Sequence, residues 1–428
     1  MADAKAIRQV KSIIESEPSR KYVIVSAPGK RFKDDIKITD MLYRCHNEVV
    51  ETGTCKKSFT IIRERFLEIA KDLSLTLDMQ AILDETEKEI DARKSADFAA
   101  SRGEYLSARI VADFLGFEFV DAAEIIRFDS HGKLNVDYTD DKVSNRLSGV
   151  EYAVIPGFYG KNFQGEIKTF SRGGSDISGS IVARGVKADL YENWTDVSGF
   201  LVCDPRIVPE AKAIKQITYK EVRELSYMGA SVLHAEAISP VMKRRIPINI
   251  KNTFKPEDKG TMIVPNDKYD SDANDSVVTG IAGKKNFTVL LIEKSMMNSE
   301  VGFIRRVLSV VEHYGVCVEH LPSGIDTLSV IIESEQLKNG VLTDMVNEIR
   351  ENVSPDYVHV IENISLIATV GHGMAMRSGT AATLFNALAK ENINIRMIDQ
   401  GSSELNIIIG VSNSDYEKCI RAIYNAFI

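Results

Sequence analysis

No apolar run in these 428 residues approaches the length of a membrane span, and the N-terminus lacks the apolar core of a signal peptide. Cysteine is scarce: Cys45, Cys55, Cys203, Cys317 and Cys419 are odd in number and widely spaced, with no C-x-x-C pair. That pattern argues against a disulfide framework or a zinc site and suits reduced thiols in a cytoplasmic protein. Charge of one sign is also lacking, since a net charge of -8 is spread over interspersed acidic and basic residues. A nucleic acid or an anionic membrane is therefore not expected as a main partner. No Walker A sequence occurs, so any nucleotide must be held by another design. The length allows two or three domains and a sizeable core.

What is present centres on Thr169 to Arg206. Ser171-Arg172-Gly173-Gly174-Ser175-Asp176 joins two glycines, which permit close backbone approach and unusual φ, to an arginine whose planar fork matches a carboxylate or phosphate. Ser175 or Asp176 can cap the helix that Ile177, Ile181 and Val182 announce, and the positive end of that helix favours an anion. An ordinary glycine-rich turn with a salt-bridged arginine fits the same letters.

Ala2 to Ile14 reads as a helix, Tyr22 to Ser26 as a buried strand closed by Ala27-Pro28-Gly29, and Thr39 or Asp40 as a cap for the next helix. Residues 54 to 115 read as mostly helical, with Ser101-Arg102-Gly103-Glu104 interrupting the pattern; an exposed carboxylate at a helix start is one reading of Glu104. Phe119-Val120, Tyr152 to Ile155 and Ile167 to Thr169 are short strands alternating with helices, which indicates a largely parallel sheet with helices on both faces. Pro156-Gly157-Phe158 then lies at a strand's carboxyl end, where ligands bind in such sheets. Asp204-Pro205 reads as a turn, His234 as a partly buried structural histidine, and Lys251 and Lys259 as cations that solvent alone could explain. Lys255 to Ser276 is polar and reads as a connection. Beyond it the expected order is strand Val277 to Ala282, strand Phe287 to Ile292, helix Gly302 to Tyr314, strands Val316 to Glu319 and Leu328 to Ile332, and helix Leu342 to Arg350. A related order returns at Ser365 to Val370, Gly379 to Glu391, Ile393 to Ile398, Leu405 to Val411 and Asp415 to Phe427. A βαββαβ unit occurring twice is an internal repeat.

The R-G-G-S-D motif, T-D-V-x-G followed by D-P-R, and Gly229-Ala230-Ser231-Val232-Leu233-His234, in this order, make the sequence resemble the aspartate kinase family over essentially its whole length. The resemblance implies an α/β amino acid kinase fold, a largely parallel sheet sandwiched by helices, followed by two ACT domains. Its boundaries are a catalytic domain at 1–262, a linker at 263–276, a first ACT domain at 285–362, and a second made from 277–282 plus 363–428. It implies phosphoryl transfer from MgATP to the side-chain carboxylate of L-aspartate, with lysine and/or threonine as feedback effectors and ACT domains pairing protomers into a homo-oligomer. No dehydrogenase domain is expected after Ile428, as in the monofunctional enzymes.

Residue by residue, the resemblance puts Thr39, Glu104, Arg172, Gly173, Gly174 and Ser175 at the substrate, with Glu104 on its ammonium and Arg172 on its α-carboxylate. It assigns Thr195, Asp196, Arg206, Ser231 and Val232 to ATP, and Met297, Gly302, Phe303, Glu319 and Asp326 to the effector, although Gly302-Phe303 could equally be packing. No protein metal ligand is expected, since Mg²⁺ travels on the ATP phosphates. The family opens with a strand and a K-F-G-G motif whose lysine handles the transferring phosphoryl. This sequence begins Met1-Ala2-Asp3-Ala4 just after that position and contains no K-F-G-G elsewhere. No catalytic residue is identifiable, and the expectation is a chain severely impaired in phosphoryl transfer. A non-catalytic ACT-type amino-acid sensor is the alternative; a kinase of glutamate, acetylglutamate or a nucleotide is disfavoured by the tandem repeat.

Overall fold

Tyr22–Val25 pairs in parallel with Ala153–Pro156, which pairs in parallel with Glu118–Phe119 on its other side. The central strand reads A-V-I-P and is buried throughout, as a parallel strand covered on both faces must be. The computed structural model describes every residue except 94, 172, 231, 234, 271, 272 and 275, and leaves the side chains of 235 and 376 undescribed. The chain divides into two units, Met1–Gly199 with Val232–Lys268, and Phe200–Ser231 with Tyr269–Ile428.

In the first unit the helices Ile38–Thr52, Lys56–Asp72, Met79–Arg93 and Ala96–Leu115 bury Leu42, Phe59, Phe66, Leu83, Ile90 and Leu106 in one core. Residues 101 to 104 do not interrupt this pattern, contrary to the sequence reading; they lie inside Ala96–Leu115, all four buried. Thr39 and Asp40 cap nothing either, because Ile38–Thr52 starts before them from Lys37 without a side-chain cap. Two further sheets complete the unit. Tyr191–Thr195 runs parallel to Ile248–Asn252, which Thr261–Val264 flanks antiparallel, and Arg127–Phe128, Tyr159–Asn162 and Ile167–Thr169 form the other.

The second unit contains a five-stranded antiparallel sheet in the order Thr327–Glu333, Gly280–Glu293, Tyr357–Val370, Asn406–Ser412, Met397–Asp399. The strands expected at Val277 to Ala282 and Phe287 to Ile292 are one strand of 14 residues, Gly280–Glu293, with a register shift between Lys284 and Phe287. Residues 316 to 319 carry no strand, only an isolated bridge from His320 to Ile331, and Ile393 to Ile398 shrinks to Met397–Asp399. Helices Phe303–His313 and Val341–Val353 cover the first half of the sheet; Thr380–Lys390 and Tyr416–Phe427 belong to the second.

Candidate active site

Three close approaches bring the candidate substrate residues together at the carboxyl ends of the parallel strands. A Cβ on Gly103 would lie 2.8 Å from Ala27 Cβ and 3.3 Å from both Ile38 and Leu42, so the glycine lets the helix Ala96–Leu115 lie against the turn after the first strand. A Cβ on Gly157 would lie 2.8 Å from Ser175 Cα, and one on Gly174 2.5 Å from the Phe158 ring. Ala27, Glu104, Gly157 and the 173–175 loop therefore surround one end of the sheet.

Glu104 is the unusual group there. It is 5 % exposed, and its Oε2 has no hydrogen-bond partner. Burial pushes its carboxyl up to about 8, against weaker opposing pulls from the Ala27 backbone amide and the Arg102 charge. The exposed helix-start carboxylate read from the sequence is thus ruled out. Arg102 is also buried, its guanidinium stacked 4.4 Å from Phe98, 4.5 Å from Tyr105 and 5.3 Å from Tyr159, with hydrogen bonds to Ser101 Oγ. Thr39 is half-buried, one residue past Ile38, the neighbour of Gly103.

The glycine-rich loop is built differently from its sequence reading. Helix Gly174–Gly185 is capped by Gly173 in the left-handed region at φ 57, not by Ser175 or Asp176. Its first helical hydrogen bond is Ile177 N to Gly173 O, which leaves the amides of Gly174 and Ser175 outside the intrahelical ladder at the positive end. Phe158 sits opposite at φ 76, held by its amide to Ser178 Oγ at 3.0 Å and by its carbonyl, which accepts from Phe170 N at 2.9 Å. Asp176 Oδ1 accepts from Asn193 Nδ2 at 2.9 Å and its carbonyl accepts from the Tyr191 hydroxyl at 3.2 Å, tying the helix to strand Tyr191–Thr195. The sequence reading missed Arg102, Asn193 and Tyr191; a polar Asn within a short strand was the one available signal. Arg172 lies outside the described residues.

Among the nucleotide candidates, Thr195 ends that strand, its hydroxyl donating to Asp196 Oδ1 at 3.2 Å and its carbonyl accepting from Thr253 N at 2.8 Å. Asp196 is exposed and Val232 half-buried; Ser231 and His234 lie outside the described residues. Lys251 sits 5.3 Å above the Trp194 ring, and Lys259 is exposed. Arg206 belongs to the second unit, where it is mostly exposed and forks onto Asp204 at 2.6 to 3.0 Å in the turn that Asp204-Pro205 announces. Of the effector candidates, Met297 and Phe303 are core side chains, Gly302 caps the helix Phe303–His313 at φ 81, and Glu319 is half-buried. Asp326 is exposed and accepts from Met296 N at 2.8 Å.

Residues 1–252 match the amino acid kinase family and residues 367–427 match the ACT domain. The chain is 36% identical over 441 residues to aspartokinase 3 of Bacillus subtilis (strain 168), covering 100% of this chain and 96% of that protein. It is 51% identical to the aspartate kinase of Clostridium acetobutylicum, whose crystal structure superposes with a TM-score of 0.92 over 100% of this chain and 97% of that one. E. coli aspartokinase III, solved with aspartate and ADP, shares the fold at 22% identity and a TM-score of 0.74, over 99% and 97% of the two chains. The fold, the buried carboxyl beside a glycine-capped helix, and this similarity along the full length lead to one conclusion: the chain belongs to the amino acid kinase family, as an aspartokinase with a C-terminal ACT region.

Proposed function

We propose that the pocket around Glu104 binds L-aspartate and presents its side-chain carboxylate to the γ-phosphoryl of ATP. Glu104 carries the reading: a buried carboxyl with an unpartnered oxygen calls for a cationic donor, and the ammonium of aspartate is one. The nucleophile is the substrate's own carboxylate, so no general base is needed and the chain's residues orient and neutralise. The Gly174 and Ser175 amides, with Thr39, contact the substrate, and Arg172 clamps its α-carboxylate. Thr195, Asp196, Arg206, Ser231 and Val232 serve ATP. Mg²⁺ carried on the ATP phosphates would neutralise their charge during transfer.

Lysine and/or threonine act at the first half of the antiparallel sheet, near Met297, Gly302, Phe303, Glu319 and Asp326. The exposed apolar side chains Met296, Val301 and Ile325 beside that region support pairing with a second copy. The five cysteines are free, which supports a reducing cytoplasm.

Aspartyl hydroxamate formation with MgATP, aspartate and hydroxylamine tests the reading. Product that depends on both substrates is expected. No product at any aspartate concentration contradicts the catalytic role. Arg172→Ala should raise KM for aspartate by the equivalent of about 2–5 kcal/mol; an unchanged KM removes Arg172 from the substrate.

A further inference from the structure

The helix Tyr219–Tyr227 is bound to the antiparallel sheet of its own unit through one buried carboxylate. Glu221 begins as half of a capping box: its amide donates to Thr218 Oγ1 at 3.2 Å, and the Thr218 amide donates to Glu221 Oε2 at 2.8 Å. The capping box leaves its second carboxylate oxygen to be satisfied elsewhere, and Glu221 is 0 % exposed. Two groups remote in sequence use its other oxygen. Oε1 accepts from Thr279 Oγ1 at 2.6 Å and from the His372 amide at 2.7 Å, while the Thr218 hydroxyl adds a second bond to Oε2 at 2.7 Å.

Two further contacts reinforce the attachment. Glu224 Oε2 accepts from Asn406 Nδ2 at 2.7 Å. Leu225 lies so close to Gly280 that a Cβ there would come within 2.5 Å of its Cδ1. The helix is thereby fixed to three segments of the second repeat, at 279–280, 372 and 406.

Its last turn passes directly into the glycine motif. Met228 N donates to Glu224 O at 3.2 Å, Gly229 N to Ser226 O at 3.1 Å and Ala230 N to Leu225 O at 2.9 Å. The backbone of 228–230 is thus set by where the helix is set, and the chain runs from there into Val232.

We propose that Glu221 is a positioning residue for the nucleotide: by tying its helix to Thr279 and His372 it fixes the Gly229-Ala230 turn from which the ATP-binding segment departs. The proposal rests on the reading that this segment serves ATP. A segment held in its bound conformation before the ligand arrives spares the ordering cost on binding. Each lost bond to a buried carboxylate leaves that group short of a donor and loosens the tie.

The test compares Glu221→Gln, Thr279→Val and Thr279→Ser in the full chain, reading ADP affinity by titration calorimetry and KM for ATP and aspartate separately. Glu221→Gln and Thr279→Val should weaken ADP binding and raise KM for ATP about tenfold, with KM for aspartate within about twofold of the parent and Thr279→Ser close to the parent. Should Glu221→Gln not fold, the Thr279 pair carries the comparison, because serine keeps the donor and valine keeps only the shape. ADP affinity unchanged in Thr279→Val overturns the proposal, as does a parallel loss of ADP and aspartate affinity together with melting temperature, which is the mark of a purely structural bond. Failure of the parent chain to bind ADP instead sinks the underlying reading of the segment.

Discussion

At Glu104 burial opposes charge, and the balance is measurable. Its carboxyl titrates near 8 in the fold against an ordinary value of 4.5. Between those values the folded chain holds a proton that the unfolded chain has lost, so stability is full below about pH 4.5 and falls as pH rises through about 8. The slope is at most about 1.4 kcal/mol per pH unit. Glu104→Gln should remove that slope and leave the variant more stable than the parent at pH 8, as denaturant titrations at several pH values would show; a parent slope retained in the variant excludes Glu104 as its source. The same residue gives aspartate binding a sign. The substrate ammonium favours the ionised form, so aspartate affinity should improve as pH rises from 6 toward 8.

Among the secondary elements, the site depends on how closely helices approach turns, and glycines set that distance. Gly103→Ala would push its Cβ to 2.8 Å from Ala27 Cβ, and Gly174→Ala to 2.5 Å from the Phe158 ring. Each should cost about 1–3 kcal/mol of stability and raise KM for aspartate by shifting a wall of the pocket. Urea midpoints at parent level for both variants would mean the walls yield freely.

These positions also show what the sequence could and could not reveal. The helix after the glycine-rich motif and the strand Tyr22–Val25 were legible because periodicity is local, whereas the cap of that helix, Gly173 rather than Ser175 or Asp176, was not. Ser101-Arg102-Gly103-Glu104 reads as a break because a glycine among polar residues disfavours a helix interior; the contact with Ala27 that makes it useful is remote in sequence. The strands expected at Val277 to Ala282 and Phe287 to Ile292 likewise read as separate, yet the residues between them are an irregularity in one long strand, with Asn286 at φ 70. The Glu221 tie was invisible because its partners lie 58 and 151 residues away.

For the molecule as a whole, both repeats are laid on the same two strands, Gly280–Glu293 and Tyr357–Val370. Neither half can separate without unzipping the other's neighbour, so native-state hydrogen exchange should show the two halves opening at one common free energy; distinct free energies for the two would contradict a shared sheet. The proposed mode of aspartate binding, in turn, comes down to whether Glu104 receives the substrate's ammonium. Calorimetric titration of aspartate at pH 7, in buffers of differing ionisation enthalpy, tests that most directly. The account predicts one site per chain and release of nearly one proton on binding, with the release lost in Glu104→Gln. Binding that releases no proton in the parent, or the same number in the variant, would contradict it.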